Sequence, residues 1–332
     1  NDAANNGGAI SCFGSIPLDI SECTFELNKG DVGGALAIGD DTLYLSSLNV
    51  DKCEFLFNEG FNQGGAINVG NSDVTIQSTL FAYNGAFGNG TGGAISNNSS
   101  GGLNSTITII NSTITEGIGS LAAGIAQWED GTADATVTLQ NTIMYNTFGS
   151  DFATEDGDPE VFSMGGNLVY QADMASVFSG TNDEMGTNPL FTDVGAFDFT
   201  LTSASPAVNT GIASGAPTTD LNGDPIQDEV DKGCYEFQGI IESTANLVFA
   251  TQISLLNNPA TELAILQIEN EYAGDLMVSI FDMTGKVCYS NTFQKATNLE
   301  QYPLLVKNLT AGTYMVRVVS QDGFATKRLI KL

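Results

Sequence analysis

The chain has 332 residues, 42% of them hydrophobic, with 39 acidic against 10 basic side chains, no histidine and a formal charge of −29. That length supports two domains with cores of their own, and that hydrophobic content excludes a disordered chain. No apolar run is long enough for a membrane-spanning helix, and without histidine the usual zinc sites and histidine-assisted nucleophiles are excluded.

Charge is uneven along the chain. Residues 1–238 hold 31 acids against three lysines, Lys29, Lys52 and Lys232, whereas the remaining 94 residues hold eight acids and seven bases. Nucleic acids and anionic membranes need clustered Lys and Arg, so the first part repels both and suits divalent cations or cationic partners. Cysteine occurs at 12, 23, 53, 234 and 288, never as C-x-x-C. No basic region followed by an apolar stretch marks a signal peptide. The chain opens inside a repeat, which reads as a mature or trimmed product.

The repeat dominates the first part. Gly-Gly-Ala-(Ile/Leu) occurs at 7–10, 33–36, 64–67 and 92–95, with a degenerate Ala122-Ala123-Gly124-Ile125 after them. Between the copies stand Phe25-x-x-Asn28, Phe55-x-x-Asn58 and Phe81-x-x-Asn84, each preceded by an alternating strand. Short strands with glycine turns and no helical period predict stacked β-coils, a right-handed parallel β-helix over 1–238. Leu18/Ile20, Leu48/Val50 and Val74/Ile76 then form inward columns, and Asp19, Asn49, Thr75, Thr108 and Thr138 an outward one. The asparagines 28, 58 and 84 fall at one place per coil and predict an amide ladder. Cys23 and Cys53 also match in adjacent coils, within the roughly 4.4–6.8 Å that a disulfide spans. Two core thiols packed side by side satisfy the same pattern, and that packing is the expectation.

The paired G-G-A-(I/L) and F-x-x-N motifs over residues 7–95 resemble the repeats of polymorphic outer-membrane proteins, which implies a β-helical surface adhesin. In the fourth coil the second motif becomes Ile114-Thr115-Glu116-Gly117 and the resemblance fades. Further on, Asn188-Pro189-Leu190-Phe191, Ser205-Pro206-Ala207-Val208-Asn209, Asp220-Leu221-Asn222-Gly223-Asp224-Pro225 and Gly233-Cys234-Tyr235 look like the end of choice-of-anchor β-helix proteins. That resemblance implies segments completing the last coils. Ile226 stands where such proteins commonly carry arginine, which removes any ion pair made from it.

Residues 239–256 read as a linker. Beyond it, alternating strands with regular turns over 257–332 predict a small immunoglobulin-like β-sandwich, so the fold class is all-β throughout. Asn258-Pro259, then Gly285-Lys286, then Gly312-x-Tyr314, then Lys327-Arg328 before the terminus resemble a type A sorting domain of type IX secretion. The resemblance implies a Bacteroidota-type cell, recognition by its secretion machinery, export to the surface or medium, and in many members tail cleavage with attachment to surface lipid.

Parallel β-helices often act on polysaccharides. Lyase chemistry of that kind commonly draws its base from Arg or Lys, and residues 1–238 contain no arginine. Glycoside hydrolysis needs two placed carboxylates, for which Asp40 and Asp41 are the candidates. Asp220, Asn222, Asp224, Asp228 and Asp231 offer alternating oxygen ligands around a glycine, a candidate calcium site without the glutamate of an EF-hand; the same residues also read as a structural turn. The acidic loop 151–160 is a second candidate. The threonine column raises ice binding, and Trp128 offers a ring to a sugar or to a coil edge. The resulting expectation is a non-enzymatic adhesion or matrix protein that meets an extracellular polysaccharide or surface protein. A carbohydrate-active enzyme is the alternative.

Overall fold

The computed structural model describes residues 1–3, 6–14, 17–39, 46–87, 91–154, 160–171, 177–239, 252–282, 286–320 and 323–332. The chain divides into two compact units, Asn1–Gly239 and Ile240–Leu332.

The first unit is a parallel β-helix of about five turns with four walls. A wall that follows the Gly-Gly-Ala corners runs Ile10–Cys12, Leu36–Ile38, Ile67–Gly70, Ile95–Ser99, Ile125–Glu129 and Phe152–Thr154. A long wall stacks Pro17–Ser21, Ser46–Asp51, Ser72–Gln77, Ser105–Ile110, Ala135–Gln140 and Val161–Ser163. A phenylalanine wall begins at Thr24–Glu26, Glu54–Leu56 and Leu80–Ala82 and ends at Glu184–Met185. A short wall holds Asp2–Ala3, Lys29–Val32, Glu59–Gln63 and Gly85–Ala86.

Register follows the alternation in the sequence. Leu18, Leu48, Val74, Ile107 and Val137 share one column, and Ile20, Val50, Ile76, Ile109 and Leu139 the next. From Ile20 and Leu48 onward these side chains are buried, while Asp19, Asn49 and Thr75 point out to solvent. Inside the phenylalanine wall, Phe25, Phe55 and Phe81 stack at 4.8 Å with rings 7° and 5° from parallel. The ring spacing equals the spacing of neighbouring strands, so each coil adds one ring to a continuous core.

The corners show why glycine recurs. A Cβ on Gly34 would lie 2.0 Å from the carbonyl oxygen of Gly65, and one on Gly65 would lie 1.9 Å from that of Gly93. Neighbouring coils therefore approach closer than any side chain permits. The amide ladder runs through buried positions: Asn28 Nδ2 donates to Asn58 Oδ1 at 2.9 Å, and Asn58 Nδ2 to Asn84 Oδ1 at 2.9 Å. It stops where Gly117 replaces asparagine, and there the Gly117 amide donates to Asn146 Oδ1 from the next coil.

The core-thiol expectation is corrected. Cys23 and Cys53 do share register, but Cys23 is exposed, Cys53 is buried, and both thiols are free. Their Sγ atoms donate to the carbonyls two residues back, Ser21 and Asp51. Thr79, Ser112 and Thr142 repeat that bond with their hydroxyls in the following coils. The cysteines thus open a column of turn-capping donors and do not form an inward pair.

After Glu184–Met185 the parallel stack ends. The sequence reading places residues 188–237 in the last coils; the structure lays them back along the outer side of the stack as a strap. Phe191–Asp193 and Asp198–Leu201 form an antiparallel hairpin whose Phe197 meets Phe57 and Tyr83 edge-on, at 5.3 and 5.2 Å. Tyr83 donates its hydroxyl to Val194 O, Ile212 N donates to Asn141 Oδ1, Cys234 N donates to Thr113 Oγ1, and Lys52 Nζ donates to Thr219 Oγ1. Leu80, Ala82, Phe199 and Cys234 form a second buried cluster beneath it. The strap covers the outer apolar face of the phenylalanine wall, which alternation alone would leave wet.

The predicted linker 239–256 falls mainly on 240–251, outside the described residues. Its last part, Ile253–Leu256, is instead a strand pairing with Leu263–Glu269, because Ile253 is buried in the core of the second unit. That unit packs a three-stranded antiparallel sheet and a four-stranded one, Val287–Lys295, Gly274–Phe281, Gly312–Ser320 and Gly323–Lys331, around Leu266, Val278, Leu304, Val316 and Leu329. Lys295 is buried, and its ammonium donates to the carbonyls of Asn270, Tyr272 and Thr297.

Candidate functional site

The short wall carries an open cleft of about 370 Å³ lined by Asp2, Lys29, Asp31, Glu59, Phe61 and Phe87 together with the backbone of Ala3, Gly30 and Gly60. Strand alternation puts these side chains on the outer face, since Gly30 and Gly60 between them face the buried side. Lys29 and Glu59 are paired in register and form an ion pair. Asp31 accepts a 2.6 Å hydrogen bond from Asn62 Nδ2. Phe61 and Phe87 each follow paired positions, Gly60 and Ala86, and so fall at one place in consecutive coils. The ring of Phe87 lies across Gly85, where a Cβ would come within 2.4 Å of it. Phe61 is 58% exposed and Phe87 46%, against 0% for Phe55 and Phe81 in the same coils.

A second cleft of about 380 Å³ lies where the strap meets the first coils, lined by Glu22, Cys23, Lys52, Glu54, Leu221 and Asn222. Lys29 and Lys52 each border one of the two clefts.

Of the five residues offered as calcium ligands, Asp220 and Asp231 are buried with backbone amides donating to them. Asp220 accepts from the backbone amides of Asp224 and Glu236, and Asp231 from those of Asn209 and Phe237. Asn222 lines the second cleft, and Asp228 is exposed. Among the described residues no three His, Cys, Asp or Glu side chains are grouped to hold a metal ion. Glu236, which the sequence did not single out, completes a buried trio by accepting from Gln227 and Asp231 amides. Burial pushes Asp231 up to about 6, with the Asp220 carboxylate adding to it, and pushes Glu236 up to about 7, with Asp231 adding to it. These three carboxylates organise the strap. Beside them Lys232 is wholly buried and donates to Glu184 at 3.1 Å, and that burial lowers its pKa.

Asp40 and Asp41 lie outside the described residues, as do 155–159 of the acidic loop. Asp151 of that loop is buried and accepts from Asn146 and Gln171. Trp128 is half-buried on a wall strand, in register with Asn98. The threonine column is present on the long wall, where Thr106 donates to Asp73 Oδ1.

In the second unit Asn258 holds the terminal strand, its Oδ1 accepting from Ile330 N and its Nδ2 donating to Arg328 O, both at 2.8 Å. Pro259 follows a cis peptide. The Lys286 amide donates to Asp282 Oδ1; Gly285 is outside the described residues. Gly312 opens a strand in extended backbone, and two residues on Tyr314 donates its hydroxyl to Thr310 O at 2.9 Å. Lys327 and Arg328 sit on the last strand, opposite Val316 and Met315. Residues 257–332 match the family described as secretion system C-terminal sorting domain. The tail is a type IX sorting domain. No curated protein matches the chain. The sorting domain directs the chain to the cell surface or the extracellular space. Among the described residues no helix is long and apolar enough to cross a bilayer.

Proposed function

We propose that the β-helix is a non-enzymatic adhesion or matrix module, delivered by its sorting domain, that binds an uncharged extracellular polymer along its short wall. The carrying observation is that two exposed aromatic side chains of the cleft, Phe61 and Phe87, follow paired positions in consecutive coils, with the in-register Lys29–Glu59 pair beside them. A polymer running with the stack meets equivalent positions at each step of about 4.8 Å. The cleft is open, and two of its three carboxylates are tied to neighbours on the same wall, Glu59 to Lys29 and Asp31 to Asn62. Two carboxylates facing each other across a scissile bond would be needed for hydrolysis. The acid excess of residues 1–238 opposes polyanions.

Affinity electrophoresis of the full chain through gels loaded with neutral or acidic polysaccharides tests this reading. Retardation by at least one neutral polymer and by no acidic one is expected. Retardation by none, or by acidic polymers alone, would overturn it.

A further inference from the structure

We infer that Phe61 and Phe87 form a stacking platform for pyranose rings, so that the short-wall cleft takes a neutral hexopyranose chain. This rests on the binding reading above and names its ligand class. A large ring left in water forgoes the transfer free energy that burial supplies. The same coils bury Phe55 and Phe81 completely, while Phe61 and Phe87 stand exposed on one outer column. The ring of Phe87 lies over Gly85, which has no side chain where the paired positions of the preceding coils carry Lys29 and Glu59. A side chain at Gly85 would collide with that ring, so the glycine leaves it room on the outer wall.

Around the rings stand groups suited to hydroxyl donors. Asp31 and Glu59 carboxylates accept hydrogen bonds only, and Lys29 donates. A sugar ring offers C–H groups to an aromatic face and hydroxyls to acceptors at its rim, which is the division this cleft presents. Charge selects among sugars. Uronic or sulfated units meet the carboxylates of Asp2, Asp31 and Glu59, three acids against the single ammonium of Lys29. An uncharged hexose chain escapes that repulsion.

The test compares the full chain with Phe61→Ala, Phe87→Ala and the double variant in gels loaded with a neutral glucan, mannan or galactan. Thr108→Ala on the long wall is the control, and thermal unfolding checks that each variant folds. Truncating an aromatic anchor that stacks on ligand costs more than 1 kcal/mol, so each single change is expected to weaken retention by about tenfold, and the double variant to abolish it. Phe61→Trp should keep it. Wild-type retention that survives in the folded double variant would refute the platform while leaving the binding reading intact. Failure of the wild type on every neutral polymer would remove both. Retention on polylysine alone, lost with salt, would show a cationic peptide as the ligand and overturn the sugar assignment.

Discussion

Asn58 serves two coils at once. Its Oδ1 accepts the backbone amide and the side-chain amide of Asn28, while its own Nδ2 donates to Phe25 O and Asn84 Oδ1. All of these groups are buried, so removing the carboxamide leaves donors without acceptors in a dry interior. Asn58→Ala is expected to destabilise the β-helix by about 2–3 kcal/mol in urea unfolding, a larger loss than its small change in volume would give. The buried trio acts on pH instead. Asp231 and Glu236 have ordinary values of 3.8 and 4.5 and are raised to about 6 and about 7 by burial, with Asp220 raised beside them. Each acid holds its proton more tightly folded than unfolded, so folding takes up protons between about pH 4 and pH 7. Stability from these groups is full at the acid end and falls as pH rises through their folded values. The thermal midpoint of the unit Asn1–Gly239 should therefore be lower at pH 8 than at pH 5, by an amount on the order of a few kcal/mol in stability, and Glu236→Gln should flatten that slope. A midpoint that rises over the same interval would contradict the assignment.

At the scale of elements, strands and corners were legible because their causes recur at a fixed period. Gly34 and Gly65 stand where a carbonyl of the next coil leaves no room for Cβ, and Asn28, Asn58 and Asn84 stand where one amide meets the next. The turn residues were not legible. Leu27, Phe57 and Tyr83 adopt φ of 54°, 53° and 56°, a left-handed conformation that such side chains rarely choose alone. Stacking of the coils imposes it, so local propensity carries no sign of it. The strap was hidden for a related reason. Its motifs read as ending coils, and only the apolar outward residues Leu56, Leu80 and Ala82 hinted that the phenylalanine wall is covered. Phe199 fills that second core, with Tyr83 and Phe191 against it. Phe199→Ala is expected to cost about 3–5 kcal/mol in chemical denaturation, as a ring in the central stack would, whereas Phe61→Ala on the exposed cleft should cost little. Equal losses at the two positions would show that the strap is not a packed element.

At the scale of the molecule, the charge division follows the division of labour. The sorting unit carries nearly balanced charge, while the β-helix holds almost all of the excess acid. Such a surface turns away polyanions, in keeping with the uncharged polymer proposed as its ligand. Of the candidate site, the sequence supplied the columns but not the cleft, because Phe61 and Phe87 fall outside the G-G-A and F-x-x-N motifs. A comparison of positions just after Gly30, Gly60 and Ala86 across coils would have found them. Binding without turnover is the central claim. It is tested most directly by incubating the full chain for long periods with a polysaccharide that retains it and measuring polymer length by size-exclusion chromatography with light scattering. An unchanged length distribution alongside saturable retention is the predicted result. Progressive shortening would contradict the account, make the chain a polysaccharide-cleaving enzyme, and direct mutagenesis to Asp40, Asp41 and the cleft acids Asp31 and Glu59.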